Sequence, residues 1–359
     1  MIKKHAFFNR IPKQLETFST MKKIIGLTYD LKSDWVKSAD DPLDAAAELD
    51  GIDTVDALSA AFESAGHRVV RIGNAHQLLA AIHQGLKVDL VFNIAEGHRG
   101  RNRESQIPNI LEMFNIPFSG ADALTLGVTL DKAVAKKCWV ADGVPTGKFF
   151  EATLRDDLKK LNTIGYPLIV KTSQEGTSKG ITKNSRVENL EQLRTEVEKI
   201  CTVYKQPALC EQFIKGTEFT VAVIGNDDPI ALPVVQYAVG GNTNMGNEFY
   251  SYEHIMAKSV QYICPATIDA GLAKKLQEVA IAAYKSIECR DLGRVDFRVD
   301  DKGQPYVLEI NPLPNLSPSE VFPMCAKAHG LTYNQLINKI LDYALNRYGL
   351  LEAQEALAK

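Results

Sequence analysis

The sequence predicts an α/β protein that starts with a small doubly wound, mostly parallel sheet and continues into a larger part of mixed helices and strands. Residues 21–122 alternate short apolar runs with segments of helical periodicity, which is typical of βα units. The chain has 359 residues, enough for two or three domains with separate cores. Segments 294–298 and 309–311 alternate apolar with polar residues, as half-buried strands do.

In the first part, apolar runs predict strands at 24–28, 69–72 and 90–93. Apolar residues at helical spacing predict a helix over 54–65, which Gly66 ends, and a second helix that carries Ile107 and Leu111. The polar and acidic segment 31–50 has no periodicity, so we expect a loop there. Strands that alternate with helices in this way predict a parallel sheet with helices on both faces.

Further along the chain, the same signals predict strands around 147–150, 167–171, 208–211 and 219–224, and helices at 131–142, 188–203, 269–287 and 333–347. The Gly- and Asn-rich stretch 240–247 predicts a turn or a mobile loop. We predict an extension at 1–20, an N-terminal domain at 21–122, a central subdomain at 123–213, a C-terminal subdomain at 214–348 and a tail at 349–359.

Composition and charge exclude several classes of protein. The net charge is −3 and no Lys/Arg cluster alternates with aromatic residues, so nucleic-acid binding is not expected. Apolar runs are too short to span a bilayer, and residues 1–20 lack the apolar core of a secretory signal. The six cysteines form no C-x-x-C pair and are irregularly spaced, which indicates free thiols in a reducing cytoplasm.

The two later strands carry a candidate metal site. Residues two apart in a strand point to the same face, so Glu309 and Asn311 point together, and Asp296 joins them if the strands pair. Two carboxylates and an amide oxygen suit Mg²⁺ that carries a nucleotide phosphate. The alternative is that Asp296 is a solvated strand charge.

A candidate phosphate site lies upstream. The apolar strand that ends in Lys171 is followed by a loop, 175–180, rich in Gly, Ser and Thr. Glycines let the backbone approach phosphate oxygens, and hydroxyl and backbone N–H groups donate to them. The loop is neither a P-loop nor a dinucleotide fingerprint, and by itself it could be an ordinary hairpin turn.

Taken together, these motifs resemble the ATP-grasp superfamily and, within it, the D-alanine–D-alanine ligase family. The resemblance runs from about residue 88 to 345. It rests on Gly120 with 130–132, on 169–171 with 175–180, and on 211–218, 293–297 and 308–314. It implies an ATP-grasp fold after the N-terminal α/β domain, ATP and Mg²⁺ as cofactors with Mn²⁺ as a possible substitute, and a homodimer.

The resemblance also implies roles for single residues. Lys132 and Lys171 match the lysines that hold the ATP phosphates, Thr177 and Ser178 lie in the loop that closes over them, Glu211 with Phe213 and Ile214 matches the adenine site, and Glu218 matches the ribose carboxylate. Asp296, Glu309 and Asn311 match the metal ligands. Arg294 matches the arginine that stabilises the tetrahedral intermediate, and Lys171 and Ser178 complete the catalytic set.

Five positions of the predicted amino-acid site depart from the family pattern or match it only weakly. Glu96 stands where the family has histidine, and Arg101 where it has an acidic residue. Asn315 replaces a glycine, and Glu320 replaces the serine that binds the acceptor carboxylate. Glu48 aligns weakly with the amine-binding glutamate. Because a glutamate repels a carboxylate, we expect the donor, the acceptor or both to differ from D-alanine.

Two loops leave alternatives open. The Lys-Tyr pair of the family's lid loop is missing; residues 255–256 lie there, with Lys258 as a possible substitute. The cluster of His98, Arg99, Arg101 and Arg103 is either a solvated loop or a clamp for a substrate carboxylate.

The sequence therefore predicts a cytoplasmic ATP-dependent ligase that joins small amino acid or carboxylate substrates through an acyl phosphate. The alternatives are a D-alanine–D-alanine ligase of cell-wall synthesis and a natural-product ligase of the peptide or mycosporine type. A nucleotide-binding regulatory protein without catalytic activity is the alternative from another class. Retention of Arg294 together with the three metal ligands argues against the regulatory protein.

Overall fold

The computed structural model of the chain describes residues 22–38, 41–251, 253–254, 257 and 259–351. The predicted extension at 1–20, residues 255–256, Lys258 and most of the predicted tail lie outside the described residues.

The first sheet is three-stranded and parallel, in the order β2-β1-β3, with β1 at Ile24–Thr28, β2 at Arg68–Gly73 and β3 at Leu90–Asn93. Helix α1 (Ile52–Ser64) covers one face through Val55, Leu58 and Phe62. Helices α2 (Ala75–His83) and α3 (Gln106–Met113) cover the other face. Helices on both faces of a parallel sheet confirm the doubly wound prediction.

Helices α4 (Ala123–Leu130) and α5 (Lys132–Ala141) follow, and Asp131 caps the first turn of α5 by accepting from the backbone N–H of Val134. The second sheet is antiparallel, in the order β4-β7-β5-β6. Its strands are β4 (Phe149–Ala152), β5 (Leu168–Thr172), β6 (Arg186–Val187) and β7 (Ala208–Gln212). Helices α6 (Leu158–Leu161) and α7 (Leu190–Val203) enclose its core.

The third sheet has six antiparallel strands, in the order β11-β10-β8-β12-β13, with β9 paired to β8. The strands are β8 (Gly216–Ile224), β9 (Ile230–Ala231), β10 (Val235–Val239), β11 (Val260–Ile263), β12 (Leu292–Asp300) and β13 (Pro305–Asn311). Helix α8 (Ala270–Ser286) packs on one face, together with α4 and α5. Helices α9 (Val321–Ala328) and α10 (Tyr333–Arg347) lie on the other face, in one core with α1.

The packing of α4 and α5 concerns the predicted domain boundaries. Leu126 and Trp139, from α4 and α5, share a core with Phe219 and Val295 of the third sheet. The predicted domain boundaries stay a prediction. By their contacts, these two helices are grouped with the six-stranded sheet. No helix in the described part of the chain has the length and apolar character needed to cross a membrane.

Candidate active site

The predicted metal ligands and the predicted catalytic arginine lie on two paired strands. In the register of β12 with β13, Arg294 is opposite Asn311 and Asp296 is opposite Glu309. The register shifts after Asp296, which marks a bulge at this point of the ladder. The pairing that the sequence analysis assumed is therefore present, and it brings all four side chains to one face of the sheet.

Asp296 is the centre of this group. Arg294 donates to it through Nε at 3.1 Å from Oδ1 and through Nη2 at 3.0 Å from Oδ2. Asn311 donates from Nδ2 to Oδ2 at 3.1 Å, and the hydroxyl of Thr220 donates to Oδ1 at 2.5 Å. Burial opposes the charge on Arg294, but Asp296 outweighs it and raises the pKa of the guanidinium well above its usual range.

Buried ion pairs of the second sheet and of α5 lie beside this face. Glu211 lies 2.6 Å from Nζ of Lys171 and 2.5 Å from Nζ of Lys136, and the Lys136 side chain is 0% exposed. Burial would raise the pKa of Glu211, but the two ammonium groups outweigh it and hold the pKa at about 2. Lys132, the first residue of α5, lies 3.4 Å from Glu309. The predicted phosphate lysines thus face the predicted metal ligands.

The candidate phosphate loop has a strained backbone. Thr177 and Ser178 adopt left-handed conformations, with φ of 47° and 54°, which cost about 1–2 kcal/mol per non-glycine residue. Asp44 accepts from the backbone N–H of Gly180 at 3.0 Å, and Glu48 accepts from the backbone N–H of Gly176. Strained loops held in this way cluster at ligand clamps.

Glu48 pins this loop through buried ion pairs. Its carboxylate accepts two bonds from Nη2 of Arg103, at 2.9 and 2.8 Å, and lies 2.8 Å from Nζ of Lys179. Arg103 also reaches Glu175 at 3.4 Å, and Lys179 reaches Glu175 at 2.5 Å. Burial opposes the charge on Glu48, yet Arg103 and Lys179 lower its pKa to about 2. A side chain on Gly176 would collide with Glu48, since a Cβ there would lie 2.7 Å from Oε1.

The predicted adenine and ribose residues lie beside the same face. Glu218, on β8, pairs with Arg298 at 2.5 Å and accepts from the backbone N–H of Tyr250 at 3.3 Å. Burial raises the pKa of Glu218, against the effect of Arg298. The guanidinium of Arg298 stacks 4.7 Å from the ring of Phe213. Ile214 is buried next to Phe213.

These elements enclose a cavity of about 380 Å³, within the range of small-molecule sites. It is lined by almost all the predicted site residues: Glu48, Glu96, Lys132, Lys171, Thr177, Ser178, Glu211, Phe213, Ile214, Glu218, Arg294, Asp296, Glu309, Asn311, Asn315 and Glu320. The structure therefore brings together residues that are more than 260 positions apart in the sequence, from Glu48 to Glu320.

Arg101 is the predicted site residue that does not line the cavity. Its guanidinium contacts Asp131 at 2.9 Å, and its side chain is 65% exposed. Of the basic loop cluster, Arg103 is buried, whereas His98 pairs with Asp30 at 2.7 Å and stacks on Trp35. Glu320 precedes α9 as its N-cap residue, and its side chain makes no capping hydrogen bond.

Sequence reasoning missed several residues of this cavity. Three tyrosines line it: Tyr237, Tyr250 and Tyr262. The ring centroid of Tyr237 lies 5.3 Å from that of Tyr250 and 5.4 Å from that of Tyr262. Glu104 also lines it and is only 9% exposed. Lys136, which pairs with Glu211 and does not itself line the cavity, lies four residues after Lys132 on one helix face. Nothing in the local sequence marks Tyr237 or Glu104.

The comparisons with known proteins agree with this geometry. A family model described as the D-ala D-ala ligase C-terminus matches residues 139–342. A D-alanine–D-alanine ligase from Bordetella avium is 33% identical over 254 residues, which cover 70% of this chain and 76% of that protein. The chain belongs to the D-alanine–D-alanine ligase family. An uncharacterized protein of Sinorhizobium fredii is 34% identical over 300 residues, covering 82% of this chain and 88% of its relative.

The fold agrees with solved structures of ligases. The crystal structure of D-alanine–D-alanine ligase from Bacillus anthracis complexed with ATP aligns with a TM-score of 0.71 at 23% identity, covering 91% of this chain and 99% of that one. This likeness confirms the ATP-grasp fold. Membership of the family makes the chain an ATP-dependent ligase that acts on small-molecule substrates.

Proposed function

We propose that the enzyme is a carboxylate–amine ligase that forms an amide through an acyl phosphate and uses an amino acid other than D-alanine. One observation carries the proposal. Lys132 and Lys171 face Asp296, Glu309 and Arg294 across a single cavity. Phosphoryl transfer to a carboxylate brings two anions together, so the site needs this concentration of cations and metal ligands.

Mg²⁺, or Mn²⁺ in its place, would be held by Asp296, Glu309 and Asn311. The donor set fits a hard cation, because it consists of two carboxylates and an amide on facing positions of β12 and β13. The amide oxygen of Asn311 accepts no hydrogen bond from the described residues, so it is available as a ligand. The ion would neutralise charge on the phosphates.

For ATP, we propose the following contacts. The phosphates meet Lys132, Lys171 and the hydroxyls of Thr177 and Ser178, the adenine meets Glu211 and the backbone of Phe213 and Ile214, and the ribose meets Glu218. The ionised state of Glu211 supports its role as an acceptor, since its pKa of about 2 keeps the carboxylate charged at neutral pH. The stacking of Phe213 against Arg298 supports a fixed position for the backbone of Phe213 and Ile214 beside the adenine.

The chemistry then follows in two steps. The γ-phosphoryl group moves from ATP to an oxygen of the donor carboxylate, which breaks the bond to ADP and yields an acyl phosphate. The amine of the acceptor attacks the acyl carbon, loses a proton and expels inorganic phosphate. Arg294, fully protonated beside Asp296, stabilises the oxyanion of the tetrahedral intermediate. Lys171 and Ser178 hold the transferring group.

We infer the nature of the substrate from Glu96 and Glu320. Both line the cavity, at positions where the family has a histidine and a serine. Glu320 beside an acceptor carboxylate would weaken its binding by repulsion. D-Alanine is the second candidate, because the Bordetella avium relative carries the name of a D-alanine–D-alanine ligase. We further propose a cytoplasmic homodimer, as the family resemblance implies.

The test is ADP release across a panel of D- and L-amino acids and small carboxylates, singly and in pairs, with mass spectrometry of the product. We expect release with a pair other than D-alanine alone. Rapid synthesis of D-alanyl-D-alanine, at about 10 turnovers per second as in a typical enzyme, would restore the second candidate. Binding of ATP without ADP release from any pair would contradict ligation itself.

A further inference from the structure

One end of the cavity has more carboxyl groups than cations. Glu48, Glu96, Glu104 and Glu175 line it, and the basic side chains within ion-pair distance of them are Arg103 and Lys179. Both of these cations pair with Glu48 and with Glu175. Among the described residues, Glu96 and Glu104 have no ion pair and no side-chain hydrogen bond.

Glu104 is the more informative of the two. Glu104 is 9% exposed and lines the cavity, and its carboxyl group has no partner in the described part of the chain. A buried carboxylate left unpaired is costly, so such groups are paired, protonated or used by a ligand. Burial, opposed in part by Arg103, raises the pKa of Glu104 to about 7. Burial, with the neighbouring charges of Glu104 and Glu48, raises that of Glu96.

The nearby cations among the residues that the structure describes do not supply the missing charge. Lys132 is engaged by Glu309 at 3.4 Å and donates to the backbone oxygen of Glu175. Lys32 lines the cavity, but its side chain is exposed and it acts on the carboxyl of Asp50. Counting Lys32 with Asp50 still leaves two carboxyl groups without a cation from the described ranges.

We propose that Glu96 and Glu104 bind an ammonium or guanidinium group of the substrate, and that the amino acid ligated here carries a cationic side chain. This inference rests on the proposed ligase function and names its substrate class. Entry of the cation lowers the excess of carboxyl groups over cations at this end of the cavity from two to one, and its N–H groups donate charge-assisted hydrogen bonds to Glu96 and Glu104. Glu48 cannot take this role, because Arg103 and Lys179 already occupy its carboxylate.

The test compares isosteric amino acids that differ in the ammonium group. Calorimetry with MgADP present measures the binding of lysine and 2-aminoheptanoic acid, and of ornithine and norleucine, in both stereochemical forms. In the parent enzyme we expect the cationic member of a pair to bind at least about ten-fold more tightly, the usual scale for a hydrogen bond to a charged group. Glu104→Gln and Glu96→Gln should abolish that difference, while Glu112→Gln, at an exposed position on α3, should keep it.

Equal affinity for the two members in the parent would overturn the inference, and so would a preference that survives both substitutions. Affinity for MgADP reports on the fold of each variant. Failure of this inference can be distinguished from failure of the proposed ligase function. Failure of ADP release with every substrate pair would remove ligation but leave the binding preference as measured, whereas release with neutral amino acids alone would keep ligation and remove the cation site.

Discussion

The two ends of the cavity differ in how their charges are matched. At the end where we propose that ATP binds, here called the nucleotide end, Glu211 lies between Lys136 and Lys171, and Asp296 is held by Arg294. At the other end, Glu96 and Glu104 have no cationic partner among the described residues. At the first end, Lys136 and Lys171 hold the pKa of Glu211 at about 2, so this carboxylate is charged near neutrality. The second is a set of acids whose charge depends on what binds there.

The largest effect is expected from substitutions at the nucleotide end. Asp296→Asn and Glu309→Gln each remove a carboxylate proposed to hold Mg²⁺, so Mg²⁺-dependent ADP release should fall by about a thousand-fold, equivalent to several kcal/mol of charge stabilisation. Asp228→Asn and Glu278→Gln are matched controls at exposed positions and should retain activity. ADP release assays at fixed ATP report the rates. Full activity in both active-site variants would remove the metal assignment.

The next effect concerns the stability of the same network. Lys136→Met removes a 0% exposed ammonium and leaves Glu211 with one partner, so the free energy of unfolding should drop by about 1.5–3 kcal/mol. Lys137→Met changes a neighbour that is 61% exposed, where a surface pair contributes at most about 1 kcal/mol. Urea denaturation measures both. A loss no larger for Lys136→Met than for Lys137→Met would show that the buried pair contributes nothing net.

The pH dependence of stability should have opposite signs at the two ends. Glu211, with a folded pKa of about 2, contributes stability that is present above its unfolded pKa of 4.5 and is lost as the pH falls through the folded value. Glu104, with a folded pKa of about 7, favours the folded state below pH 4.5, and this stability is lost as the pH rises to 7.

Glu104→Gln isolates the second effect. Relative to the parent, the variant should gain up to about 3 kcal/mol of stability between pH 4.5 and 8, an amount that follows from the difference between the two pKa values. Denaturation midpoints at several pH values give the difference curve. A flat curve would mean that Glu104 titrates alike in the folded and unfolded chains. Glu112→Gln serves as the exposed control.

The smallest effect concerns specificity. Glu320→Ser removes the carboxylate that we expect to repel an acceptor carboxylate, so use of small α-amino acids such as D-alanine should improve by several-fold, on the scale of an exposed charge interaction of about 1 kcal/mol. The ratio of kcat/KM for D-alanine in the variant and the parent measures it. An unchanged ratio would assign Glu320 to the N-terminus of α9 alone.

Several of the regular elements could be predicted from the sequence. β1, β3 and α10 have the predicted bounds, because their apolar periodicity is strong. Helix α2 was missed, although Asn74 and Gln77 form a capping box at its start. The segment 31–50 was predicted to be a loop, and it is largely irregular. Its docking on the phosphate loop through Asp44 and Glu48 is a tertiary property that no local pattern reports.

The candidate site was predictable where family motifs supply the residue, and less so where a partner comes from elsewhere. Glu211 and Lys171 were found by motif, whereas the pairing of Lys136 with Glu211 depends on the fold. Arg101 and Arg103 looked equivalent in the sequence, but the first is at the surface and the second is buried on Glu48. The burial of each side chain and its ion-pair partners account for this difference.

The titration of Glu104 tests most directly the difference in charge matching between the two ends of the cavity. Carbon-13 NMR of the enzyme with labelled glutamate carboxyl groups, compared with Glu104→Gln, identifies its signal. We expect that signal to titrate at about 7 in the free enzyme and at lower pH once lysine is bound, since an ammonium stabilises the carboxylate. A midpoint near 4.5 in the free enzyme, unmoved by lysine, would contradict an unpaired acid that awaits a cationic substrate.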